Sequence, residues 1–477
     1  MQFNYIGNAL VPSSSGLTIP VIDPSDGQPF DEIQRSNASD IDLAVRAARQ
    51  GFEAVWRKLS GAERGRLLMR LSLKITEHTE ELTAIEQRDC GKPTKQARAD
   101  ATALARYFEF YAGACDKLHG KTIPYQDGYS VLTWREPHGV TGHIIPWNYP
   151  MQIFGRSVGG ALAAGNACVV KPAEDACLSL LRVAHLATEV GFPAGVINIV
   201  TGYGHEVGDA LARHPGIDHI SFTGSPAVGT LISQVAAQRH CPVTLELGGK
   251  SPQIVFADAD LDAAVPAIIS GIVQNSGQTC SAGSRLLVDQ AIYEPLLERL
   301  GHAFENLRVG PATLDLDLGP LIRQSQQQRV WDFLSDAQVA HITMVAQGKV
   351  VDDAPQTGFY QAPTLLRDVP PTHRLAQEEV FGPVLAAMSF RDEEHAVELA
   401  NATPFGLVAG VWTAEGARQF RIAKRIRSGQ IFINNYGAGG GVELPFGGVK
   451  SSGYGREKGL EALYGFTTLK TVAIRHG

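Results

Sequence analysis

Apolar residues recur at helical spacing near the start of the chain and in short β-rich runs further on, and this change of rhythm is the first structural signal. Ile41, Val45, Ala48, Phe52 and Val55 share one helical face behind Ser39. Ser60 and Glu63 form a capping box ahead of the stripe Leu67, Leu68, Leu71, Ile75 and Leu82. A third helix is predicted over 95–113, and the polar, β-branched stretch 120–135 reads as a hairpin-like excursion. From Val140 onward, strand-like runs alternate with helical patterns, the signature of βαβ units and a parallel sheet. Five strands are predicted there, at 140–145, 167–170, 196–200, 219–222 and 243–247. A second α/β region carries apolar runs at 254–256, 286–288, 384–390, 410–412 and 430–433, with helices over 260–273 and 293–307. The closing run, 467–474, alternates as an edge or intersubunit strand would.

In a right-handed open α/β sheet the loops after the strands emerge together at the carboxyl edge, where ligands bind. Here those loops are Pro146-Trp147-Asn148, Lys171-Pro172-Ala173-Glu174, Thr201-Gly202-Tyr203-Gly204, Thr223-Gly224-Ser225 and Gly248-Gly249, so a nucleotide crevice is expected. Composition adds a glycine surplus, 50 of 477 residues, about 10% against a usual share of about 7%. With no triplet repeat to absorb it, the surplus belongs in turns and where backbone approaches a ligand. The 42 basic and 49 acidic residues leave a net charge of −7 with no basic block, which argues against a nucleic-acid partner. The first Lys or Arg is Arg35, and the longest apolar stretch, 263–273, is too short to span a bilayer. A soluble, cytoplasmic protein without membrane association is expected. The six cysteines lack CxxC spacing, which argues against a disulfide framework or a metal site, so a chemically special cysteine must act alone.

Cys280 lies in the polar, glycine-containing turn Asn275-Ser276-Gly277-Gln278-Thr279-Cys280-Ser281. An isolated cysteine is usually an inert buried thiol, but such a turn presents the backbone N–H groups that a thiolate nucleophile needs beside a growing oxyanion. Glu246 ends the apolar strand Val243-Thr244-Leu245-Glu246-Leu247, where a carboxylate is either structurally paired or poised as a base with a raised pKa. Asn148 is either a turn residue or an amide donor to a developing negative oxygen. The pattern Gly202-x-Gly204-x-x-x-Gly208 misses the standard dinucleotide spacing by one residue. Lys171 and Glu174 read as a ribose-hydroxyl clamp or as a solvated surface pair.

Seven segments occur in order: Pro146-Trp147-Asn148-Tyr149-Pro150, Lys171-Pro172-Ala173-Glu174, Phe222-Thr223-Gly224-Ser225, Leu245-Glu246-Leu247-Gly248-Gly249-Lys250-Ser251-Pro252, Gly277-Gln278-Thr279-Cys280, Glu378-Glu379-Val380-Phe381-Gly382-Pro383 and Pro445-Phe446-Gly447-Gly448. On these the chain resembles the NAD(P)-dependent aldehyde dehydrogenases over essentially its whole length, and Cys280 follows Glu246 by the 34 residues that the family keeps between base and nucleophile. The resemblance implies an α/β fold: a Rossmann-like cofactor domain (1–116 and 136–247), an α/β catalytic domain (248–450) and a small β oligomerisation arm (117–135 and 451–477). It implies that Cys280 attacks the aldehyde, that Asn148 and the Cys280 backbone N–H hold the oxyanion, and that Glu246 activates the water that hydrolyses the resulting thioester. Cofactor contacts fall to Ile145, Pro146, Trp147, Lys171, Glu174, Gly204, Gly208, Phe222, Gly224, Ser225, Gly229, Leu247, Glu379 and Phe381. Glu174 favours NAD over NADP by repelling a 2′-phosphate, although some acidic sites accept both. A homodimer or homotetramer is implied.

The resemblance also maps Arg156 into the substrate tunnel, at a position where succinate-semialdehyde dehydrogenases and several relatives carry an arginine. A carboxylated (semialdehyde) or otherwise polar or aryl aldehyde is therefore expected, gripped by the guanidinium fork, with Tyr149 and Phe446 as aromatic walls and the glycines at 437–441 at a roomy entrance. The second arginine of those enzymes is Gln274 here, which weakens the case for succinate semialdehyde itself. Two alternatives remain at this stage, a CoA-acylating enzyme and a catalytically idle binding protein on the same scaffold. Retention of Glu246 opposes the first, and retention of both Glu246 and Cys280 opposes the second.

Overall fold

The computed structural model describes residues 1–477. The first helix, Ala38–Ala54, is capped by Asn37 and not by Ser39: the Asn37 side chain accepts the Ser39 N–H at 2.8 Å, while its own backbone N–H donates to Asp40 at 2.9 Å. The reciprocal partner three residues on decides which polar residue caps. Ser60 and Glu63 make the second such box at the start of Gly61–Glu77, which packs with Thr94–Ala114 and the buried helix Pro150–Ala164 around the largest core of the molecule.

Two sheets organise everything else. The first has eight strands, and the five predicted from the alternating rhythm form its parallel centre in the order Ile197–Ile199, Ala167–Pro172, Val140–Ile145, His219–Thr223, Val243–Glu246. Its edges come from far away in sequence. Asn4–Ile6 and Ala9–Val11 add antiparallel strands on one side, and Gly453–Tyr454 pairs antiparallel with Val243–Glu246 on the other. These three short strands carry no periodicity of their own. The C-terminal segment thus serves this sheet before it reaches the arm.

The second sheet orders seven strands as Met344–Gln347, Thr364–Leu366, Val384–Phe390, Arg285–Asp289, Pro252–Val255, Val408–Trp412 and Gln430–Ile433, all parallel except the first. The arm is a three-stranded antiparallel sheet in which Tyr129–Pro137 lies between Lys121–Ile123 and Thr467–Arg475. No helix is long and apolar enough to cross a membrane.

A buried ionic cluster braces the first domain against the future site. Lys92, fully buried, bonds Glu86 at 2.8 Å and also pairs with Asp100, while its ammonium stands 4.3 Å from the centre of the Tyr149 ring. Burial pushes the Glu86 carboxyl up to about 7, against the pull of Lys92. Removing one member of such a cluster strands the others away from water, at a cost of about 3–5 kcal/mol. Lys92→Met is therefore expected to lower the urea midpoint of unfolding substantially; a midpoint unchanged from the parent would show that the cluster does not stabilise the fold.

Candidate active site

The carboxyl edge of the first sheet faces the amino edge of the second, where Cys280, Glu379 and Phe405 precede their strands, and the residues singled out by sequence converge there. Glu246 is the last residue of its strand and is 1% exposed, with neither carboxylate oxygen hydrogen-bonded. Burial raises its pKa well above the usual carboxylate range; the Arg156 charge opposes this and Glu457 reinforces it. Gly248 and Gly249 follow as the chain crosses to the second sheet. A Cβ on Gly248 would stand 2.4 Å from the Glu379 carboxylate, and one on Gly249 would stand 2.4 Å from the Cys280 carbonyl oxygen. Only glycine permits both approaches, and the backbone N–H of Gly249 then donates to Glu379 at 2.9 Å.

Cys280 ends a turn in which three successive residues, Asn275, Ser276 and Gly277, hold left-handed backbone at φ 49°, 54° and 74°. Two non-glycine residues in this region store strain that the surroundings must hold, a pattern that concentrates at functional sites. The holding bonds are visible: Asn275 Nδ2 donates to the Asn148 carbonyl at 2.9 Å, Ser276 Oγ to the Gly319 carbonyl at 2.8 Å, and the Asn275 N–H to Gln96 at 2.8 Å. Asn148 in turn donates its amide to the Gln278 carbonyl at 3.0 Å, which fixes it against the nucleophile turn. Burial pushes the Cys280 thiol up to about 12, with Arg156 the main opposing influence. The other five cysteines line neither cavity described below.

Two cavities meet at Asn148 and Cys280. One, of about 530 Å³, is bounded by Pro146, Trp147, Gly224, Ser225, Glu246, Glu379 and Phe381, and also by Arg323, Gln326, Arg329 and Phe405, which sequence reasoning did not single out. Trp147 and Phe381 meet edge to face at 5.4 Å. Lys171 and Glu174, paired at 2.8 Å at the end of the second central strand, lie outside this cavity with Gly204, whose Cβ would stand 3.9 Å from the lysine nitrogen. Ile145, Gly208, Phe222, Gly229 and Leu247 also lie behind its walls: a Cβ on Gly224 would strike the Phe222 ring at 2.6 Å, and one on Gly229 would strike Leu247 at 2.6 Å. A bare-backbone turn beside an open cavity, with a capped helix start at Ser225, fits the phosphates and nicotinamide end of a dinucleotide.

The second cavity, of about 810 Å³, contains Tyr149, Arg156 and Phe446 together with Gln96, Gln152, Gln274, Gln430, Tyr107, Tyr436 and the glycines 437, 439 and 440. The arginine expected to grip a substrate carboxylate is already engaged: its Nε lies 2.5 Å from the buried Glu457, another nitrogen is 3.2 Å from Thr223 Oγ1, and its guanidinium stacks 4.9 Å from the centre of Phe446. Sequence reasoning missed Glu457, whose pairing with Arg156 joins residues far apart in the chain and leaves no local signal.

The aldehyde dehydrogenase family model matches residues 10–472. The chain belongs to the aldehyde dehydrogenase family. It is 42% identical to a hydroxyisobutyraldehyde dehydrogenase of Mycolicibacterium austroafricanum, over 98% of this chain and 93% of the relative. A protein of Burkholderia cenocepacia, provisionally named an aldehyde dehydrogenase, superposes with a TM-score of 0.99 at 73% identity over the full length of both chains. PnpE of Pseudomonas sp. WBC-3, solved with nicotinamide adenine dinucleotide, superposes with a TM-score of 0.97 at 40% identity, covering 100% of this chain and 98% of that one. This aldehyde dehydrogenase is accordingly an NAD-dependent oxidoreductase.

The turn before Cys280 also carries a test. A Cβ on Gly277 would stand 2.3 Å from the Gly382 carbonyl, on backbone at φ 74°. Gly277→Ala in this aldehyde dehydrogenase is expected to lower kcat/KM by tenfold or more through displacement of Cys280. Gly113→Ala, where nothing lies within 4 Å, should leave kcat/KM within about twofold of the parent. Equal effects of the two would remove the turn's special role.

Proposed function

We propose that the protein oxidises a polar aldehyde to its carboxylic acid through a thioester on Cys280 that water hydrolyses. The observation that supports this best is the unpaired, buried carboxylate of Glu246 beside the cavity junction occupied by Cys280 and Asn148. Cys280 Sγ attacks the aldehyde carbon as the thiolate, its proton passing to solvent, which leaves Glu246 free as a base for the later step. The Asn148 amide and the Cys280 backbone N–H receive the developing oxyanion, each such donor contributing about 3–4 kcal/mol to the transition state. NAD supplies the two-electron acceptor for the oxidation. Glu246 then takes a proton from water, which cleaves the C–S bond and regenerates the thiol. The polar lining of the second cavity, four glutamines and three tyrosines among its walls, supports a substrate with hydrogen-bonding groups.

Glu174 beside Lys171 supports preference for NAD over NADP. Large apolar side chains exposed on the arm, Ile123, Tyr125, Trp134, Leu469 and Ile474, support self-association into a dimer or tetramer.

Two measurements test the chemistry. Glu246→Gln should keep the first burst of NADH while cutting the steady-state rate by about 10²- to 10⁴-fold; loss of burst and steady state in equal measure would show that Glu246 does not serve deacylation. Because burial holds Glu246 protonated above the ordinary carboxylate range, kcat should still climb with pH above that range as the base form appears. A kcat already level from pH 6 upward would contradict that assignment.

A further inference from the structure

Three cations border the second cavity, and only one is both buried and without a carboxylate partner. Lys95 is exposed and bonds the Asp315 carbonyl at 3.3 Å. Arg156 is neutralised by Glu457. Lys458, next in sequence to Glu457, has no carboxylate partner: it is 9% exposed, and its one hydrogen bond runs from Nζ to the Gly440 carbonyl at 3.1 Å. Glu443, the acidic group nearest to it electrostatically, is held by Arg106. Asp100, the buried carboxylate of the same cavity, is saturated by Lys92 and by Gln152 at 2.6 Å.

Lys458 is also placed at a cost. Its backbone is left-handed, at φ 62°, and is held there by the reciprocal hydrogen bonds of Phe446 with Glu457 and by the Gly459 N–H on the Val442 carbonyl at 2.8 Å. The ammonium stands 5.9 Å from the Phe446 ring and 6.0 Å from the Tyr107 ring, while Cys280 packs against the small apolar cluster of Leu407, Val408 and Phe446. Phe446 is thus shared between the lysine's surroundings and the cluster that Cys280 packs against, and both residues line the same cavity. Burial, with Arg156 adding to it, pushes Lys458 down to about 8, as expected of a cation short of counter-charge. Two of its three N–H donors remain for a ligand.

We propose that Lys458 is the specificity-determining residue that receives the distal carboxylate of an oxo-acid substrate whose aldehyde carbon lies at Cys280. This rests on the polar-aldehyde function proposed above and narrows it to aldehydes that carry a second, distal carboxylate. Glu457 and Lys458 then divide the work, the first neutralising Arg156 and the second presenting charge to the substrate.

The test compares an ω-oxo acid with the n-alkanal of equal chain length, in the parent enzyme, Lys458→Met and Lys458→Arg. A charge-assisted hydrogen bond is worth about 1.5–3 kcal/mol, so Lys458→Met should raise KM for the oxo acid by about ten- to a hundredfold. The alkanal's kcat/KM should stay within about twofold, and Lys458→Arg should restore part of the oxo-acid preference. A parent enzyme that prefers the oxo acid, with that preference intact in Lys458→Met, would overturn the role of Lys458 and leave the polar-aldehyde function standing. A parent enzyme that favours the alkanal would overturn both. Equal losses on both substrates would also overturn the assignment, since they mark a structural role.

Discussion

The molecule depends on one crossing of the chain, the five residues that carry it from the strand ending at Glu246 to the strand beginning at Pro252. Because the two strands belong to different sheets, this crossing fixes how the carboxyl edge of the first sheet meets the amino edge of the second. The glycines at 248 and 249 let it pass between Glu379 and the Cys280 carbonyl at distances no Cβ tolerates. Glu246 at its start, the Glu379 carboxylate and the Cys280 carbonyl are thereby gathered around one short covalent link. The side of the cavity that must be most accurate is built from the least adjustable backbone.

Charge in this setting is arranged by burial. Glu246 carries no hydrogen bond, so water is removed without replacement and the neutral form is favoured. The Arg156 guanidinium counters this from one side and the Glu457 carboxylate supports it from the other, so the ion pair lets the base feel little net field. The same pair is clamped by Ser221, which donates to Glu457 at 2.6 Å, and by the Phe446 face. Arg156 is thus part of the wall that sets the proton affinity of the reacting groups.

Much of this was legible in the chain itself. The central strands of both sheets follow directly from apolar runs that are buried on both faces, and such runs look the same wherever they pair. The capping box at Ser60 and Glu63 needs only residues three apart. The edges were not legible: Asn4–Ile6 and Gly453–Tyr454 are strands because a neighbouring strand offers them hydrogen bonds, and nothing in their own pattern demands it. Asn37 likewise won its cap over Ser39 through the reach of Asp40.

For the site the division follows the same physics. Sequence by itself determined the chemical groups, because Cys280, Glu246, Asn148 and the glycines beside them stand in ordered motifs whose local backbone is dictated by residue type. Only the tertiary structure decided which charges remain free. Arg156 and Glu457 are 301 residues apart in sequence and 2.5 Å apart in space, and Lys458 remains available because Glu457 is committed and Glu443 is held by Arg106. A charge's value to a substrate depends on what already pairs with it, and pairing across such separations is a property of packing that no local pattern encodes.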